Sequence, residues 1–185
     1  MVCRWDLDPD QPRRGRRPEK GGRDATEPGD HALGRSRGGY GTKLHLLTDG
    51  RGLPLTALVT PGQAHESTQS EALLQGVRIR QRCGRPHQRP RRVVGDRAYH
   101  AQRLRQWLRQ LGIGAVIPPR QSRSRRRGGR PVSYDEQRYR QRNVIERCVV
   151  WLKECRSVAT RYEKLALNYL GLVKLAMIER YLRLL

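Results

Sequence analysis

Apolar residues recur along this chain at two spacings, which divide it into strand-like and helix-like stretches. Leu44, Leu46 and the run Leu55 to Val59 flank Asp49-Gly50-Arg51-Gly52. Gly and Asp suit the positive φ angles of a tight turn, so this region predicts an antiparallel hairpin. Cys3, Trp5 and Leu7 alternate with Arg4, Asp6 and Asp8, the pattern of a very short strand. Arg92-Val93-Val94-Gly95-Asp96 predicts a short buried strand with an acid at its C-terminal end, and Ala115-Val116-Ile117, closed by Pro118-Pro119, predicts another. Between them Leu104, Trp107, Leu108 and Leu111 recur at helical spacing, and Gly112 stops that helix. Strand, helix, strand in this order implies a parallel crossover.

Three further stretches read as helices. Ala64 to Val77 carries Ala72, Leu73 and Val77 as a modest stripe. Ser133 and Glu136 have capping-box spacing and open a long helix that runs to about Arg156. Its stripe is Val144, Ile145, Cys148, Val149, Trp151, Leu152 and Cys155, while Arg142, Glu146 and Lys153 share another side. A last helix starts at Leu165; Asn168, Lys174 and the charges after Ile178 make it too polar and too short for a membrane span. Residues 1–33, rich in Arg, Pro, Gly and Asp, form a basic segment with little to bury, and the domain proper occupies residues 34–185.

Charge narrows the partners. Lys plus Arg is 39 against 17 for Asp plus Glu, a net +22, and only five of the basic residues are lysines. Such a balance selects polyanions, nucleic acid first, although a codon bias toward arginine accounts for part of the excess. The N-terminus is charged from its fourth residue and shows no secretory signal, so the chain is expected in the cytoplasm. Cys3, Cys83, Cys148 and Cys155 have no CxxC spacing, which argues against a zinc site or a disulfide framework.

Two acids stand where the elements would present them to a ligand. Asp96 ends a buried strand, and Glu146 sits in a helix beside Arg142, Asn143, Arg147 and Lys153. Two carboxylates in so basic a chain suggest a hard divalent ion, Mg²⁺ or Mn²⁺, acting on phosphodiesters. On spacing alone the structural alternatives hold: a helix cap for Asp96, a solvated salt bridge with Arg142 or Lys153 for Glu146.

Several strings then add a resemblance. Residues 34–49 (GRSRGGYGTKLHLLTD), 52–66 (GLPLTALVTPGQAHE), 95–100 (GDRAYH), 117–120 (IPPR), 138–153 (RYRQRNVIERCVVWLK) and 159–170 (ATRYEKLALNYL) occur in order. They resemble the DDE transposases of bacterial insertion sequences, in the group typified by insertion sequence five. The resemblance implies an α/β fold, an RNase H-like mixed sheet flanked by helices. It implies that Asp96 and Glu146 are the second and third catalytic acids and the metal ligands, and that inverted-repeat ends and target DNA are the substrates. Arg97 replaces the usual Lys, and Glu66 stands where an Asp is common.

The front of the chain departs from that pattern. The expected run of Asp-Ser/Thr-x-Val on the first strand is absent, and Asp6, followed by Leu7-Asp8-Pro9, is the nearest substitute for the first acid. The first strand is therefore expected to be incomplete, and the chain reads as a truncated or frame-disrupted C-terminal portion. Asp49, as the Asp of a DG turn, is assigned a structural role. Arg142, Asn143, Arg147 and Lys153, with Arg120, Arg123, Arg125, Arg126 and Arg127 of an arginine-rich loop, are the candidate phosphate contacts. Tyr99 and His100 are weaker candidates. The competing reading is a catalytically inactive remnant that only binds DNA through its arginine-rich surface; besides DNA, the partners expected of the chain are further copies of itself or an intact transposase. An RNA-binding role would need stacking surfaces, and Phe is 0 with aromatic residues at 5%.

Overall fold

The computed structural model describes residues 2–6 through their backbone and residues 31–36, 39–80, 83, 85–119 and 135–185 in full. β3 (Gly39–Thr48) organises it. Residues Thr42 to Thr48 are all buried, because helices cover both faces of this strand. β3 pairs antiparallel with β4 (Pro54–Pro61), with β1 (Val2–Asp6) and, near its start, with β2 (Gly34–Ser36).

The alternation of a strand sends its side chains to two different layers. Leu44 and Leu46, with Ala57 of β4, pack against α4 (Asn143–Glu154), α5 (Arg156–Ala159) and α6 (Ala166–Leu182). Leu47 faces the other layer, formed by α1 (Glu66–Gln75), α2 (Gln102–Gln110) and a parallel ladder of β5 (Arg92–Val94) with β6 (Gly114–Val116). Leu73, Leu108 and Ile117 fill that second core.

The hairpin forms where the pattern placed it. Asp49 Oδ1 accepts from Arg51 N at 2.9 Å and Leu53 N at 2.8 Å, which gives this Asp a turn-building role. Gly52 has φ +89°, and a Cβ there would lie 3.0 Å from the Val144 carbonyl oxygen at the start of α4. Both the conformation and the close approach require glycine.

Three expectations are corrected. The strands do not form one mixed sheet: among the described residues the antiparallel and parallel ladders are separate. β5 and β6 have three residues each and β1 five, so there is little backbone to bridge them, and the layers join through side-chain packing. The long helix expected to Arg156 is divided. α3 (Glu136–Arg140) is capped by Asp135, whose Oδ1 accepts from Arg138 N at 3.0 Å, while Ser133 lies outside the described residues. At Gln141, Arg142, Val144 and Ile145 the backbone N–H groups donate to the residue three back, a tightened turn that re-aims α4. The third correction concerns Cys155, which is extended and separates α4 from α5, although its side chain still packs on the same core as Cys148. No described helix is long and apolar enough to cross a membrane.

Candidate active site

Asp96 follows β5 and caps the 3₁₀ turn Arg97–Tyr99, accepting from Ala98 N at 2.9 Å. The cap satisfies an otherwise free N–H and fixes one carboxylate oxygen. Burial is the main influence on this half-buried acid, pushing its pKa above the ordinary carboxylate range. The Ala98 N–H and then the Arg142 guanidinium act against that, and the charge of Glu66 adds to it. Asp96 thus lies in the fields of Arg142 and Glu66, which arrive from α4 and α1.

Arg142 is set by the tightened turn between α3 and α4. Its guanidinium meets Glu146 Oε1 at 2.5 Å, one helical turn on, and lies 5.7 Å from the centre of the Tyr139 ring. Glu146 has 52% of its side chain exposed, so it can be reached from solvent. Asn143, Arg147 and Lys153 are also exposed, and helical spacing puts them on the same outward side of α4 as Glu146, opposite buried Ile145, Cys148 and Leu152. Asp96 and Glu146 therefore share one neighbouring cation. Each also carries the structural interaction that spacing alone allowed: a cap for Asp96, an ion pair for Glu146.

A buried ion pair underlies this cluster. Lys43 Nζ contacts Glu66 Oε1 at 3.1 Å and donates to the Ala64 carbonyl at 2.7 Å, with side-chain exposures of only 5% and 6% for the pair. Glu66 opens α1, whose positive N-terminal end also favours an acid. The β1 ladder pairs Asp6 with Lys43. The backbone thus brings the end of β1 to the same place as Lys43, the start of α1 and the end of β5. Periodicity could not reveal this pair, since Lys43 and Glu66 are 23 residues apart; the available signal was a lone Lys inside an apolar strand run.

Other candidates are placed elsewhere. Tyr99 is 1% exposed and belongs to the second core, which corrects its weaker candidacy as a DNA contact. His45 is buried with Nε2 2.8 Å from Thr60 Oγ1, and His65 Nδ1 caps α1. Arg120, Arg123, Arg125, Arg126 and Arg127 lie outside the described residues. Among the described residues no three His, Cys, Asp or Glu side chains are grouped closely enough to hold a metal ion. The donor chemistry at Asp96 and Glu146 nevertheless fits a hard divalent cation: anionic oxygens, one poorly solvated, around a place that already holds positive charge.

The transposase DDE domain family matches residues 14–178 of the chain. A transposase of insertion sequence element IS402 from Burkholderia cepacia is 36% identical over 127 residues, covering 68% of this chain and 56% of that relative. A transposase of IS6501 from Brucella ovis is 34% identical over 143 residues, covering 77% of this chain and 98% of that relative. The chain thus spans about half the length of the first relative and nearly all of the second. No solved structure matches the chain. With the family match covering residues 14–178, Asp96 and Glu146 among them, the chain belongs to the DDE transposases of insertion sequence elements.

Proposed function

We propose that this chain cleaves and joins DNA at insertion-sequence ends, with Asp96 and Glu146 as its acids and Asp6 as the nearest candidate for a third. The observation that carries the reading is the convergence of Asp96 and Glu146 on Arg142. Asp96 and Glu146 would hold Mg²⁺ or Mn²⁺, which when bound activates an attacking hydroxyl and stabilises a leaving oxygen. Asp96 is held in place by the Ala98 N–H, so it offers its remaining oxygen without having to order itself. Glu146 has to leave Arg142, which frees the guanidinium for a phosphate. Arg147, Asn143 and Lys153 on the outward side of α4 track the DNA backbone, and the +22 charge steers it there. The expected overall fold is RNase H-like, acting in the cytoplasm on chromosomal DNA.

The test is an assay of the purified chain with Mg²⁺ or Mn²⁺ on duplex carrying the inverted-repeat end of a related element. Asp96→Asn and Glu146→Gln are each expected to lower cleavage by about 10³-fold, ~4 kcal/mol of transition-state stabilisation, while leaving salt-sensitive binding in place. Cleavage that survives Asp96→Asn overturns the assignment. The second reading is a DNA-binding remnant, favoured by the Arg142–Glu146 ion pair, which occupies one of the two acids. It requires binding without cleavage in either metal.

A further inference from the structure

The crossover from β5 through α2 to β6 returns the chain to the edge that carries Asp96. β5 and β6 are parallel, with Val94 paired to Val116, and Gly95 N donates to the Val116 carbonyl at 3.2 Å, so the ladder runs up to the residue before Asp96. The next carbonyl along that strand is Ile117's, and it accepts from Nη2 of Arg105, near the start of α2. Neighbouring strands lie about 4.8 Å apart, so the guanidinium and Asp96 occupy one edge, at the carboxyl ends of the two strands. That is the edge at which parallel strands present groups to ligands.

Among the described residues Arg105 is a cation without a counter-charge. It is half-buried, its Nε is enclosed and meets no acceptor, and the Ile117 carbonyl is its one hydrogen-bond partner there. No described acid pairs with it, although Arg103, two residues earlier, reaches Glu71 at 3.6 Å. Burial works against its charged form. Residues 118–134, which follow Ile117, hold six arginines and no Asp or Glu, so the adjoining chain adds positive charge instead of compensating it. Pro118 and Pro119 have no N–H and offer no backbone donor at that point. A poorly solvated guanidinium at a ligand-binding edge suits an external anion, and its planar fork matches the oxygens of a phosphate.

We infer that Arg105 holds a backbone phosphate of the DNA strand, next to the phosphate that Asp96 serves. This rests on the reading of Asp96 as a catalytic acid. The two arginines near that edge then have different tasks. Arg142 arrives from α4, and its charge, with that of Glu66, is what acts on Asp96. Arg105 arrives from α2, has no acid to neutralise, and keeps its charge for a phosphate further along the strand. Its bond to the Ile117 carbonyl ties the guanidinium to the ladder that also positions Asp96, so a phosphate held there fixes how the strand lies across the acid.

The salt dependence of DNA binding by the whole chain tests this, measured in EDTA on duplex carrying the inverted-repeat end of a related element. Arg105→Gln removes the charge and keeps an N–H donor for the Ile117 carbonyl. It should raise Kd at least about tenfold, ~1.4 kcal/mol, and lower the slope of log K against log salt by about 0.9, the share of one phosphate. Arg105→Lys keeps the charge and loses the fork, so it should restore the slope while Kd stays about threefold above the parent's. Arg109→Gln removes the same charge from an exposed position at the far end of α2 and should leave the slope unchanged. A residue that only tethers Ile117 would move Tm and not the slope; that outcome overturns the proposal, as does an equal drop in slope for Arg109→Gln. If circular dichroism shows Arg105→Gln unfolded, Arg105→Lys decides, and a Kd equal to the parent's overturns the proposal. Binding in EDTA does not depend on the acids, so an unchanged slope removes only the role of Arg105, whereas cleavage that survives Asp96→Asn removes the reading it rests on.

Discussion

The two faces of β3 are buried to the same degree and built on different principles. Toward α4–α6 the strand offers Leu44 and Leu46, and the layer closes on apolar contacts with Ile145, Leu152 and Val173. Among the polar groups buried there, Tyr169 Oη donates to the Val158 carbonyl at 2.8 Å. Toward α1 and β5 the same strand offers Lys43 and His45 beside Leu47, and buries an ion pair under the candidate acids. One face fixes where α4 lies. The other fixes which charges meet there.

The difference is largest when one member of the charged pair is removed. Lys43→Met leaves Glu66 buried without its counter-ion and is expected to cost roughly 3–5 kcal/mol in urea unfolding. Adding Glu66→Leu should return most of that, since an apolar pair of similar size needs no counter-charge. A double variant as unstable as the single one breaks the contrast.

On the apolar face no such recovery exists. Leu152→Ala should cost about 3 kcal/mol through lost contacts and a residual cavity, and adding Leu44→Ala should deepen the loss, read by the same unfolding curves.

The smallest effect is the pH dependence carried by Asp96. Its folded-state pKa lies above the unfolded one, so as pH rises the unfolded chain ionises first and the native state loses stability until Asp96 ionises in place. Asn can keep the bond from Ala98 N without the charge. Asp96→Asn should therefore match the parent below about pH 3.5 and melt slightly higher at neutral pH, the gain kept small by solvent around a half-exposed group. A variant that melts lower at neutral pH would place Asp96 among the groups the fold depends on.

Much of this scaffold is legible in the sequence because it depends on local signals. The DG turn, the alternation around Leu44 and the Leu104–Leu111 stripe each specify an element without help from distant residues, and the parallel pairing of β5 with β6 follows from their order. The division between α3 and α4 was hidden, because no Pro or Gly marks Gln141-Arg142 and the apolar stripe runs on past it. The Lys43–Glu66 pair was hidden too, as a contact between a strand and a helix that only the packed layers bring together. For the site, Asp96, Glu146 and Arg142 could be named from motifs and position. That Arg142 mediates between the two acids is a matter of helix phase, set by the tightened turn.

The hairpin turn at Gly52 bears on how this protein can be altered. Its backbone presses on the first turn of α4, so a fusion, tag or lengthened loop between Asp49 and Gly52 would displace the helix that carries Glu146. At the opposite end of β3 a side chain at Gly41 would meet nothing within 4 Å, whereas at Gly39 the φ of +118° strains any residue but glycine. A fluorophore or affinity handle meant to follow DNA binding belongs at Gly41, attached by substitution rather than insertion, because this end of β3 is paired with β2.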